Sequence, residues 1–236
     1  MRNKGDTMTE GKEQFIGHIS SCLGRTSVPT APTPLHLPNT VHHDFLKGAD
    51  ADELERIFIA NAEVSSTTIY KCEAENLNKS IAQAISDFGG GQTLIADHSY
   101  FREHNTREVL SSDCKEIRKW DLNESREKNI AYAEQASIGI AMAELALAEP
   151  GTVLLFSHGG SGRSVSLLPA YTITVIRKQD IRPRLTQAMA FLSEQIATGL
   201  PNSVNFISGA SSTADIELVR VQGVHGPLAT AYVIVS

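Results

Sequence analysis

Residues 209–227, GASSTADIELVRVQGVHGP, gather small hydroxyl residues, two carboxylates, a histidine and several turn formers into one stretch. Gly209 closes a run of strand character, and Ser212 stands three residues before Asp215, the spacing of a capping box that opens a helix. The free N–H groups and positive dipole end of such a helix favour an anion, held here by Ser211, Ser212 and Thr213. Capping without any ligand explains the same residues. Asp215 and Glu217 point apart on a helix, so only one can face a cleft, and Asp215 is nearer the helix start. Gly223, Gly226 and Pro227 then make a rigid corner around His225, which can move protons near neutral pH or simply bond a loop carbonyl.

Two further stretches carry polar groups in apolar surroundings. SHGGSGRS, residues 157–164, follows a strand-like run and exposes backbone N–H groups beside Arg163. Gly160 and Arg163 are the anion-cradling candidates there, although the glycine spacing matches neither a dinucleotide-binding nor a Walker-type loop, and a plain flexible loop has the same composition. Glu144 is an acid within the apolar run 138–147, where a carboxylate is costly unless it is paired, solvated or lining a cleft. Asp215, His225 and Glu144 are thus the acid–base candidates. No metal site is expected: His42-His43 lacks further ligands nearby, and Cys22, Cys72 and Cys114 form no C-x-x-C pair. The three thiols read as small core residues. No compact catalytic signature is present.

The elements that must position these residues alternate along the chain. Phe15, Ile16, Ile19, Cys22 and Leu23 recur at helical spacing ahead of Gly24, and predict an amphipathic N-terminal helix. The proline-rich VPTAPTPLHLP follows as an extended arm. Residues 1–40 therefore form a helical arm and 41–236 an α/β domain. The arm either packs on its own core or reaches a second subunit, which leaves a homo-oligomer open. Helices are expected over 50–62 (Leu54, Ile57 and Phe58 on one face), 76–91, 100–110, 124–135, 184–197 (Leu185, Ala188, Met189, Leu192 and Ile196 aligned) and 212–221. Strands are expected at STTIYKCE, QTLIAD, AYTITVI, SVNFISG and ATAYVIVS, and an antiparallel hairpin at 137–157 turning on Glu149-Pro150-Gly151-Thr152. Such alternation makes a mostly parallel sheet flanked by helices.

The 236 residues suit one α/β domain with decoration, and an apolar fraction of 41% supplies a core. With 27 acidic against 21 basic residues the net charge is −6, which opposes binding to a phosphate backbone and makes nucleic acid an unexpected partner. No apolar run is long enough to span a bilayer and the polar first residues do not resemble a secretion signal, so a cytoplasmic protein is expected.

The blocks AELALAEPGTVLLFS, LLPAYTITVI and ISGASSTADIELVRVQGVHGP, in this order and before a final strand, resemble the lactate utilization protein C family. The likeness runs over residues 55–236 and includes the opening FIGHISSCLGR; TADIE together with GVHGP is its most specific part. The chain departs from the family's usual blocks at Pro150 and in lacking an arginine before Thr213. The resemblance implies a NagB/RpiA/CoA-transferase-like layered fold, and a non-redox or ligand-binding role in a cytoplasmic system that oxidises L-lactate to pyruvate. It also implies that the iron–sulfur clusters lie on partner subunits, with no cofactor in this chain. It transfers no catalytic residue. A stand-alone enzyme for a phosphorylated or folate-like molecule is the alternative.

Overall fold

The computed structural model describes residues 6–28, 31, 38–113, 116–196, 199–213 and 221–236. Backbone proximity divides the chain into two units, Met1–Thr40 and Val41–Ser236. In the first, helix α1 (Asp6–Cys22) runs through the expected amphipathic segment and stops before Gly24. Phe15, Ile19 and Leu23 are exposed. Cys22 is exposed too, a correction to its reading as a core thiol, because the neighbouring side chains on this helix also lie at the surface. Cys114 and most of the proline-rich stretch lie outside the described residues.

The second unit opens with the short α2 (Val41–Asp44) and then α3 (Ala51–Val64), where Asp50 accepts the Glu53 N–H as an N-cap and buries Leu54 and Phe58 one turn apart. There follow β1 (Thr67–Cys72), α4 (Leu77–Asp87), β2 (Thr93–Ile95), α5 (Ser99–Glu103), α6 (Thr106–Asp113), β3 (Ile117–Lys119), α7 (Arg126–Gln135) and β4 (Ile138–Met142). Next come β5 (Leu145–Leu147), β6 (Thr152–Ser157), α8 (Ser164–Leu167), β7 (Tyr171–Arg177), β8 (Ile181–Arg182), α9 (Leu185–Gln195) and β9 (Ser203–Ile207). β10 (Ser212–Thr213), β11 (Val221–Gln222) and β12 (Ala229–Val235) complete the order.

Six strands form one sheet in the order β1-β12-β7-β4-β2-β3, with every neighbouring pair parallel. This is the mixed α/β architecture with a mostly parallel central sheet that the alternating pattern predicts. Its strands are apolar on both faces because both are covered: Ala231, Val233 and Val235 of β12 pack with residues of α4, α5 and α7, while Tyr232 and Ile234 pack with Leu54 and Phe58 of α3. On that second side lies a four-stranded sheet, β8-β5-β6-β9, whose far face is covered by α9 through Ala188, Phe191 and Leu192.

Several expectations are revised. The run 138–147 is two strands, not one arm of a hairpin. The Ala143 N–H bonds to Val175 O in the parallel sheet and the Glu144 N–H to Leu154 O in the other, so the chain changes sheets at this dipeptide. The hairpin itself exists between β5 and β6, with Leu147 opposite Thr152. The helix expected over 100–110 is broken into α5 and α6 at Asn105, whose φ of 48° is left-handed. On α9, Leu185 and Met189 face outward, as does Ile196 just past its end, since Ala188, Phe191 and Leu192 already fill the contact with β5 and β6. Among the described residues, no helix is long and apolar enough to cross a membrane.

Candidate functional site

β2 and β4 are neighbours, yet the chain leaves them in opposite directions, β2 toward β3 and β4 toward β7. In open α/β sheets such a reversal opens a crevice beyond the carboxyl ends of the strands. Asp97 and His98 follow β2 there, Glu144 follows β4, and Arg177 ends β7. His98 Nε2 stands 3.9 Å from Glu144 Oε1, with 22% and 25% of the two side chains exposed, so water or a small solute reaches both. Burial, then the positive charges of His158, Arg177 and Arg102, lower the His98 pKa and favour the neutral ring. Burial pushes the Glu144 carboxyl up against the pull of His158 and Arg177. An acid and a base in reach of one another, each with its charged form disfavoured, is an arrangement suited to hydrogen-bond exchange with a ligand.

The backbone fixes both imidazoles. The Tyr100 N–H donates to His98 Nδ1 at 3.1 Å, and the Gly160 N–H donates to His158 Nδ1 at 3.1 Å. A nitrogen that accepts cannot carry the ring proton, so each neutral histidine holds it on Nε2. The loop that carries His158 is clamped to the same edge. Asp97 donates its N–H to Gly160 O at 2.7 Å, and the Trp120 indole donates to Gly159 O at 3.0 Å. A Cβ at Gly160 would stand 2.5 Å from Asp97 O, so this contact requires glycine. Asp97 takes Arg102 at 2.5 Å and Lys119 at 3.3 Å; burial opposes its charge, but the two cations hold its carboxyl below the usual range.

α5 divides the edge into two clefts. One, of about 230 Å³, is lined by Asp97, His98, Arg102, Asn105, Arg107 and Lys119. The other, of about 440 Å³, is lined by Tyr100, Glu103, Arg177, Lys178, Gln179 and Ser236. Arg177 sits over the Tyr100 ring at 6.0 Å and is paired with Asp180.

The residues picked from 209–227 lie elsewhere. Ser212 and Thr213 pair with Gln222 and Val221 in an antiparallel ribbon, so the expected helix over 212–221 and its dipole are absent at both ends of that span. The capping signature is local, whereas the ribbon is set by pairings with Val221 and Gln222, beyond the reach of the signature. Asp215 lies outside the described residues. The corner is also not at the carboxyl ends of the parallel strands. Leu228 bonds to Ala170 just before β12 and β7, and a Cβ on Gly209 would stand 2.4 Å from Ser65 O just before β1. The strand leading into it, β9, belongs to the second sheet, antiparallel to β6, and so exits at the amino edge of the first.

Within this corner the backbone satisfies itself. The Ser211 N–H donates to Pro227 O at 3.1 Å, the Gly223 N–H to Ser211 O at 2.9 Å and the Gly209 N–H to the Tyr232 hydroxyl at 3.4 Å. Gly226 packs against Ser211, and His225 is exposed. The structure thus brings Gly209, Ser211, Ser212, Thr213, Gly223 and Gly226 together, with His225 exposed beside Gly226, and places Glu144 and Gly160 at the opposite edge. Arg163 follows the clamped loop and is exposed. His98, His158 and Arg177 were not picked from sequence, though an Asp-His pair directly after a strand is a readable signal.

A LUD domain matches residues 54–235. Lactate utilization protein C of Bacillus subtilis (strain 168) is 37% identical over 242 residues, covering 97% of this chain and 99% of that protein. Lactate utilization protein C of Geobacillus sp. (strain WCH70) is 35% identical, covering 95% of each. Among solved structures, a DUF162 family protein from Deinococcus radiodurans superposes with a TM-score of 0.56 at 18% identity, over 79% of this chain and 99% of that one, a likeness of fold alone.

Proposed function

The chain belongs to the LUD domain family and, within it, to the lactate utilization protein C family, and from that premise we propose that it serves L-lactate utilization in the cytoplasm as a non-redox, ligand-binding subunit. The end-to-end match with relatives of that name carries the reading, because it spans nearly the whole of both chains. The carboxyl edge supports the ligand-binding part: His98 and Glu144 face each other there at partly exposed positions, and a cleft of about 440 Å³ opens beside Arg177. In this reading L-lactate is oxidised on iron–sulfur partner subunits and this chain holds a small anion for them. The scattered cysteines fit that division of labour.

Affinity purification of the tagged full chain from lactate-grown cells tests the reading. Iron–sulfur subunits should co-purify, and the chain alone should show no flavin or iron absorption. A stoichiometric chromophore on the isolated chain overturns the non-redox role, and recovery of no iron–sulfur subunit overturns the partnership. The same crevice also favours a second reading, a stand-alone enzyme for a phosphorylated or folate-like molecule with Glu144 in acid–base work. Turnover by the purified chain that disappears in Glu144→Gln while the fold persists selects it.

A further inference from the structure

We propose that the smaller cleft, bounded by α5, the start of α6 and the end of β3, is a phosphate subsite in which Arg102, Arg107 and Lys119 each meet a terminal oxygen of a phosphomonoester. The inference gives the second reading above a place for its phosphate group, and rests on that reading for the remainder of the ligand.

The backbone brings the three cations together from three elements. Parallel pairing sets Ile95 of β2 opposite Lys119 of β3, so Lys119 stands at the same sheet edge as Asp97, just past the end of β2. α5 leaves that edge carrying Arg102, and the left-handed turn at Asn105 ends it before α6 begins, so Arg107 follows after a change of direction. All three side chains line one space of about 230 Å³.

Asp97 prepares this cleft without filling it. Its Oδ1 accepts from Arg102 Nη1 at 2.5 Å and its Oδ2 takes Lys119 Nζ at 3.3 Å, so two cationic heads stand within reach of one small oxyanion. Only 16% of the Asp97 side chain is exposed, beneath heads that are 58% and 39% exposed, so the cations and not the acid meet an incoming anion. Each keeps further N–H donors for a ligand, since a guanidinium has five and an ammonium three. Among the described residues Arg107 pairs with Glu108 alone, at 3.5 Å and with both side chains largely in water, an attachment weak enough to exchange for a better partner. Three cations against Asp97 and Glu108 leave one positive charge unbalanced in a chain whose net charge is −6. A carboxylate offers two oxygens in a plane, which a single guanidinium satisfies. Donors arriving from α5, α6 and β3 suit the tripod of terminal oxygens on a phosphomonoester.

Calorimetric titration of the purified full chain with inorganic phosphate, methyl phosphate, dimethyl phosphate and acetate tests the assignment. The first two should bind at millimolar concentration or below, and the last two, with two terminal oxygens each, at least tenfold more weakly. Arg102→Gln and Lys119→Met should each weaken methyl phosphate at least tenfold, and Lys119→Arg should recover most of the loss. Arg107→Gln, whose side chain is half exposed, should weaken it with no change in melting temperature. Lys128→Met, which removes a cation outside the cleft, should leave it unchanged. Equal affinity for acetate, methyl phosphate at least tenfold weaker than inorganic phosphate, or full affinity in the three cleft variants overturns the proposal. Methyl phosphate bound by a chain without turnover leaves the subsite standing and removes the enzyme reading. Turnover of a phosphorylated substrate with KM unchanged in the three variants does the reverse.

Discussion

The two edges of the parallel sheet are built differently. At the amino edge the corner of 209–213 and 221–228 spends its polar groups on itself: backbone N–H groups meet backbone carbonyls, and Gly209 meets the hydroxyl of buried Tyr232. At the carboxyl edge, polar groups face each other across a gap too wide to bond, with burial working against the charge on His98 and Glu144. A region that satisfies its own hydrogen bonds stabilises a fold, whereas one that holds unpaired groups in fixed directions is prepared for something else to complete it. The described parts of this corner bond largely within themselves, whereas the polar groups beyond β2 and β4 face partly exposed space.

The comparison can be broken at either edge, and the largest effect is expected at the corner. Gly209→Val places a branched side chain at φ 70° and against Ser65 O, and should cost roughly 2–4 kcal/mol in denaturant unfolding. An unchanged midpoint would show that the corner is not structural. Next, Arg177→Met should lower ligand affinity at least tenfold, about 1.4 kcal/mol, with a smaller loss of stability, since the Arg177 side chain is 40% exposed although its partner Asp180 is only 14% exposed. Equal losses of affinity and stability would erase the distinction between the edges. Tyr232→Phe removes a hydroxyl that donates to Ile207 O and accepts from Gly209, and should cost about 1 kcal/mol without altering ligand affinity.

The smallest effects sharpen the contrast through pH. Glu144 has its folded pKa raised above the ordinary 4.5, so the stability it contributes is complete below that value and is lost as pH rises through the raised one. Glu144→Gln should therefore stabilise the chain at neutral pH, by roughly 1 kcal/mol or less because water reaches part of the side chain. His98 has its folded pKa lowered below 6.5, so its contribution is present above that value and is lost as pH falls through the lowered one. Melting temperature should drop less steeply between pH 7 and 5 in His98→Gln than in the parent chain.

Periodicity made much of the scaffold readable. Leu54, Ile57 and Phe58 mark α3, and the apolar β-branched runs mark β7 and β12, because burial acts on each element separately and leaves a local imprint. Pairing between distant segments leaves none. The run 138–147 is apolar throughout, so nothing but Glu144 signals that its two halves join different sheets. Ser212 and Asp215 carry the signature of a helix cap, yet the partner of Thr213 is Val221 and the result is a ribbon. The site follows the same rule. Glu144 is legible as an acid among apolar residues, while His98 becomes meaningful only once β2 and β4 are neighbours. His158 lies inside a glycine-rich loop whose composition suggests an anion cradle, but the Gly160 amide it contains is given to the histidine ring.

The central claim, that the ligand site lies at the carboxyl edge beyond β2 and β4, is tested most directly by histidine-selective nitrogen NMR of the full chain during titration with L-lactate. The His98 ring should appear as the neutral Nε2–H tautomer near pH 7, and the His98 and His158 signals should both shift on titration, while His225 stays unmoved. A response at His225 with none at His98 and His158 would contradict the account.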